Sequence, residues 1–277
     1  MKEGVVRAAP IGSFIALGDS FTEGLADARP GGGYRGWADR FAEHLAARNP
    51  GVRYANLALR GKLLGEVVSQ QLPVAAAMAP ELVSIAAGGN DLLRPGADPD
   101  RLADVFDGAV AELRAAGSEV LMFTGFDPRT FPILRWIRGR VAIYNMHLRA
   151  IADGRGCALV DLWSMPVLCD RRAWSDDRLH LTAEGHRRVA LRACEAVGVP
   201  PDGDWREPLP MLAAVPRLAV AGWLAARQVD ARWARRYAAP WVQRRLRGAS
   251  SGDGLEPKRA ELLPLDVPGL ATLAEGS

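Results

Sequence analysis

Phe14-Ile15-Ala16-Leu17-Gly18-Asp19-Ser20-Phe21-Thr22-Glu23-Gly24 is the stretch on which both the fold and the chemistry of this chain turn. An apolar, β-prone run stops at Gly-Asp-Ser, and small, flexible residues follow. A strand that ends in a tight turn offers its next side chain at the carboxyl edge of a sheet, where open α/β sheets keep their ligands. If Ser20 also opens a helix, its own N–H faces any anion beside it. Two readings fit the stretch: a turn whose serine caps a helix, which is the commoner use of such a tripeptide, and a nucleophile. The second reading needs a base, an orienting acid and an oxyanion hole from elsewhere in the chain.

Outward from this stretch, apolar runs alternate with amphipathic ones. Strands are expected at 12–18, 52–57, 82–87, 119–124 and 157–162. Helices are expected at 37–48, 63–77 (with Pro73 at a bend), 99–116, 133–153 and 182–197. The run 99–116 places Leu102, Val105, Phe106, Ala109, Val110 and Leu113 at helical spacing. Five alternations of strand and helix predict a parallel sheet covered by helices on both faces. The sheet domain is expected to span 1–200. Residues 201–277 form an Arg- and Trp-rich extension, with helices expected at 216–238 and 241–246. Residues 250–254 read as flexible, and the tail from Glu261 as extended or disordered.

Bulk composition excludes several classes. With 277 residues, 49% hydrophobic, 24% charged and a formal net charge of +3, the chain reads as an ordinary globular protein. That charge does not point to nucleic acid. Three widely spaced cysteines, Cys157, Cys169 and Cys194, form neither a disulfide framework nor a zinc site. Cys157 and Cys194 are read as buried thiols, which fits a reducing compartment. Residues 1–13 lack the apolar core of a signal peptide. No apolar run approaches the roughly 18 residues of a membrane span. A cytoplasmic location is therefore expected.

Three predicted strand ends carry polar or glycine positions: Ser20, then Asn56-x-x-x-x-Gly61, then Gly88-x-Asn90-Asp91. In a parallel sheet these ends share one edge. Asp177-Arg178-Leu179-His180 precedes the last helix of the domain and can reach the same edge. A serine hydroxyl needs a base within hydrogen-bond reach, and His180 is a candidate because an unperturbed imidazole titrates near neutrality. Asp177 can accept from its other ring nitrogen. Asp176 is a rival, set aside on spacing. The N–H groups of Ser20 and Gly61 and the amide of Asn90 are candidate oxyanion donors. Read singly, Gly61 is a turn glycine, Asn90-Asp91 a loop pair and His180 a surface histidine.

Taken together, Gly18-Asp19-Ser20, Gly61, Gly88-x-Asn90-Asp91 and Asp177-x-x-His180 resemble the four blocks of the SGNH hydrolases, also called GDSL esterases and lipases. The resemblance covers residues 12–198, with Phe21 where the family often has Leu. It implies a flavodoxin-like three-layer α/β/α fold with strand order 2-1-3-4-5. It also implies Ser20, His180 and Asp177 as catalytic triad, and Ser20, Gly61 and Asn90 as oxyanion hole. The expected activity is that of a serine esterase acting on a small ester, with no cofactor and no metal. An acyltransferase or deacetylase using a sugar or lipid acceptor would share the acyl-enzyme. A binding module that touches nucleic acid or lipid through the basic C-terminal helix is the alternative of another class. His180, Glu184 and His186 fix no third metal ligand by spacing. Phe126, Phe131, Ile133, Trp136 and Trp174 are read as candidates to wall an acyl pocket.

Overall fold

Strand β1 (Ser13–Gly18) is buried along its whole length and feeds two cores at once. Phe14 and Ala16 enter one apolar cluster, and Ile15 and Leu17 enter another. The split follows from the pleat, which sends successive side chains to opposite faces. The structure, a computed structural model, describes residues 9–131, 134–209, 235–236 and 251–266. β1 pairs in parallel with β2 (Arg53–Asn56) on one side and with β3 (Leu82–Ala86) on the other. β4 (Glu119–Phe123) and β5 (Ala158–Val160) extend the parallel sheet beyond β3. A sixth strand, β6 (Arg259–Pro264), runs antiparallel beside β2, so the order is β5-β4-β3-β1-β2-β6. The first five strands follow the expected order 2-1-3-4-5.

The connections are helical: α1 (Ser20–Glu23), α2 (Gly36–Ala46), α3 (Leu64–Glu66), α4 (Leu72–Met78), α5 (Gly89–Leu92), α6 (Pro99–Ala115), α7 (Arg138–Arg155) and α8 (Ala183–Ala196). Trp37 and Phe41 of α2 pack with Val189 and Leu191 of α8 on the face reached by Phe14. Leu72, Phe106 and Leu148 cover the face reached by Ile15. This is the three-layer α/β/α arrangement expected from the alternation of strands and helices. The expected helix 63–77 is a continuous helical path with a π-helical turn, Val67–Gln71, inside it. Pro73 has no N–H for the preceding turn, and the ladder widens just before it, with the Leu72 N–H reaching the Val67 carbonyl.

β5 is shorter than expected, and Leu162–Ser164 forms a 3₁₀ turn instead of its last residues. Cys194 is buried, but Cys157 is only half-buried. The largest departure is the tail. The segment 251–266 is not a loose end: Arg53 stands opposite Pro264, and Tyr54 opposite Leu263. The Arg259 guanidinium donates to the Tyr54 carbonyl at 2.7 Å. The run Arg-Ala-Glu-Leu-Leu-Pro has no clean alternation and most of its residues are exposed. Composition therefore does not mark it as a strand; the open edge of β2 does. Of the helix expected at 216–238 only Arg235 and Arg236 are among the described residues, and the helix expected at 241–246 lies outside them. Among the described residues no helix is long and apolar enough to cross a membrane.

Candidate active site

Gly18 ends β1 in a place that admits no side chain. A Cβ there would lie 2.5 Å from the Ala86 carbonyl oxygen, at φ +149°. The side chain of Gln71, from the π-helical turn, grips this residue from both sides. Its Oε1 accepts the Gly18 N–H at 2.8 Å and its Nε2 donates to the Gly18 carbonyl at 2.9 Å. That carbonyl has one further donor, the Leu59 N–H at 3.3 Å. Gln71→Leu should strand a buried N–H and remove half of the carbonyl's partners. The expected loss is about 2 kcal/mol of stability, read as a lower urea midpoint at unchanged slope.

Asp19 caps α1, its Oδ1 accepting the Phe21 N–H at 3.0 Å. Ser20 is thereby the first residue of that helix, and the first N–H groups of a helix lack intrahelical acceptors. Ser20 Oγ lies 3.0 Å from His180 Nε2, across 160 residues of chain. His180 Nδ1 lies 2.6 Å from Asp177 Oδ2. Asp177 Oδ1 accepts three more bonds, from Ser175 Oγ at 2.6 Å, Leu179 N–H at 2.9 Å and His180 N–H at 3.0 Å. The turn that allows this has Arg178 in the left-handed region, at φ +59°. Thr182, two residues after the histidine, then caps α8. Burial pushes the Asp177 carboxyl up, but the His180 ring, the Ser175 hydroxyl and the His180 N–H outweigh it. The group is held well below the usual carboxylate range. Asp176 is exposed.

The loops after β2 and β3 are fastened to this turn. Asn90 Nδ2 donates to Asp19 Oδ2 and to the Lys62 carbonyl, each at 3.0 Å, so both amide protons are engaged. Leu64 N–H donates to Asp91 Oδ2 at 3.0 Å. Gly61, at φ +79°, sits on the loop so tied. Among the described residues, neither the Ser20 nor the Gly61 N–H has an acceptor. Asn56, fully buried, donates to the Thr22 carbonyl at 3.0 Å and so anchors α1 to the end of β2.

A cleft of about 180 Å³ opens beside Ser20, Asn90 and His180. Its walls are mostly apolar and include Phe123, Ile137, Val141, Leu148, Leu162 and Leu168. Phe126 and Trp174 also line it. Phe131 stands behind them, 5.6 and 5.2 Å from their rings. Trp136 faces outward at 57% exposure and does not line this cleft, and Ile133 lies outside the described residues. Its neighbour Ile137 takes the inward place, because the two fall on opposite sides of the turn that opens α7. His186 lines the cleft too and is almost wholly buried. Trp37 N–H donates to its Nδ1 at 3.2 Å, and its Nε2 donates to the Leu25 carbonyl at 3.2 Å. Burial lowers its pKa to about 4, so it is a neutral brace at ordinary pH. Among the described residues no group of three or more His, Cys, Asp or Glu side chains could hold a metal ion.

The sequence matches the GDSL-like Lipase/Acylhydrolase family over residues 16–188. The chain belongs to this family. It is accordingly a carboxylic ester hydrolase of the SGNH type. Solved structures of several such hydrolases share its fold. TesA is 23% identical with a TM-score of 0.57, the match covering 67% of this chain and 97% of TesA. Axe2, an acetylxylan esterase from Geobacillus stearothermophilus, is 22% identical with a TM-score of 0.58, covering 72% of this chain and 99% of Axe2. The acetyl xylan esterase AlAXEase is 22% identical with a TM-score of 0.57, covering 67% of this chain and 99% of that one. No curated protein matches the sequence.

Gln71 and Asn56 support the site in ways that the sequence motifs do not assign to them. The Gly-Asp-Ser block itself carries a signal for Asp19, whose side chain joins the Ser20 turn to Asn90. Gln71 carries none, because its partner lies 53 residues away.

Proposed function

We propose that this GDSL hydrolase is a serine esterase that works through an acyl-enzyme on Ser20. The supporting observation is the chain of contacts from Ser20 Oγ to His180 Nε2, 3.0 Å, and from His180 Nδ1 to Asp177, 2.6 Å. His180 takes the hydroxyl proton as Ser20 Oγ attacks the ester carbonyl. The Asp177 carboxylate stabilises the imidazolium so formed. The N–H groups of Ser20 and Gly61 receive the oxyanion. Asn90 joins them by sharing one amide proton between the Lys62 carbonyl and the oxyanion. His180 returns its proton to the alcohol as it leaves. Water, activated by the same ring, then frees the acid and restores Ser20. Fluorophosphonate labelling with peptide mapping tests the reading; a label anywhere but Ser20 overturns it.

The apolar cleft favours an aliphatic acyl group over acetyl. Each methylene buried there is worth about 0.8 kcal/mol. Along a series of aryl esters, kcat/KM should therefore rise about three- to fourfold per added carbon until the cleft is full. A maximum at acetate would assign the cleft another role.

A further inference from the structure

The segment that carries β6 does more than widen the sheet. Its contacts converge on the two loops that bear Ser20 and Gly61. Gly252 is buried against Arg60: a Cβ built on it would come 2.3 Å from the Arg60 carbonyl oxygen. The Lys258 ammonium, on a side chain only 21% exposed, donates to the Glu23 carbonyl at 2.6 Å, the Arg35 carbonyl at 3.0 Å and the Tyr34 carbonyl at 3.2 Å. It also forms an ion pair with Asp39, which Arg29 shares at 3.2 Å. Glu23 closes the circuit. Its carboxylate accepts the Arg60 N–H at 2.8 Å and pairs with the Arg60 guanidinium.

A peptide group is planar. The Arg60 carbonyl and the Gly61 N–H are opposite ends of one such plane, so whatever holds the oxygen aims the N–H. Glu23 is the last residue of the short helix that Ser20 begins. A cation seated on its carbonyl therefore fixes that helix from its far end. We infer that Gly252 and Lys258 are positioning residues for the oxyanion hole. Gly252 backs the Arg60–Gly61 peptide. Lys258 anchors Glu23, and through its carboxylate the preceding peptide of the same loop. The inference rests on the acyl-enzyme reading above, in which the Gly61 N–H is a donor.

The energetics favour a geometric role over a stabilising one. Burial pushes the Asp39 carboxyl up to about 6 and the Lys258 ammonium down, both against their mutual attraction. A pair desolvated in this way adds little net stability, since removing two charges from water offsets most of the Coulomb gain. What it supplies here is a fixed point that draws carbonyls from α1 and the following loop around one cation.

The test uses the full chain and two substitutions, Gly252→Ala and Lys258→Met. For each, kcat is measured per active site counted by burst titration, alongside KM and Tm. Positioning predicts that kcat per titrated site falls roughly ten- to hundredfold, with KM changed by less than about threefold. A lower Tm with kcat per site unchanged in both variants means a merely structural role and overturns the inference. Should Lys258→Met fail to fold, Gly252→Ala decides alone. A wild-type chain not labelled at Ser20 overturns the acyl-enzyme reading and this inference with it. A labelled Ser20 with unaffected variants overturns this inference only.

Discussion

Ser20→Ala is expected to lower kcat by about four to six orders of magnitude, and His180→Ala by about as much. In the proposed mechanism neither group works without the other. The hydroxyl is a weak nucleophile until the ring 3.0 Å away takes its proton, and the ring alone has nothing to deprotonate but water. The double variant should therefore be no slower than either single one, because each already abolishes the shared step. What remains is the contribution of the oxyanion donors and of substrate binding. Steady-state rates on a short-chain aryl ester, with a fluorophosphonate label as control, measure this. Turnover within tenfold of wild type in either variant would reject the mechanism.

Asp177→Asn is expected to cost about three to four orders of magnitude in kcat, less than loss of Ser20. The reason is the donor count around the carboxylate. Oδ1 accepts three donors and Oδ2 accepts the ring N–H. An asparagine must turn its NH₂ toward one set or the other. Toward the ring, it forces the tautomer that carries the proton on Nε2, which cannot then accept from Ser20. Toward the turn, it meets three donors and loosens the backbone that carries His180. The pH dependence has a definite sign. The Asp177 pKa is depressed in the folded state, so the charged form contributes stability that is fully present above the unfolded value of about 4. That contribution is lost as the pH falls toward the folded value. Urea denaturation at pH 3 and pH 6 should show a smaller difference in the variant than in wild type. An equal difference in both would show that Asp177 does not carry this linkage.

Much of this arrangement is legible in the residues. The five parallel strands announce themselves because the central ones are covered on both faces and read as unbroken apolar runs. The candidate site residues are legible for a related reason. Ser20, Gly61 and Asn90 follow strand ends, and parallel strands bring their ends to one edge. Asp177 rather than Asp176 follows from spacing, since a residue three before the histidine can cap the same turn with one oxygen and hold the ring with the other. The features that escape are tertiary. β6 has neither alternation nor burial, and exists because β2 offers it an edge. Gln71 is an ordinary polar residue until the helix widens ahead of Pro73 and turns its amide onto Gly18. Trp136 and Ile137 are adjacent and both apolar, and only the placement of α7 decides which one faces the cleft.

β6 also covers a row of backbone groups along Arg53–Asn56. Cut short of residue 251, the chain would offer that row to any extended segment, and an uncovered sheet margin templates association with other copies. Residue 188, where the match to the family ends, is therefore a poor guide to where a stable fragment can end. A shortened protein would trade an intramolecular partner for an intermolecular one and tend to precipitate, for reasons unrelated to the candidate active site.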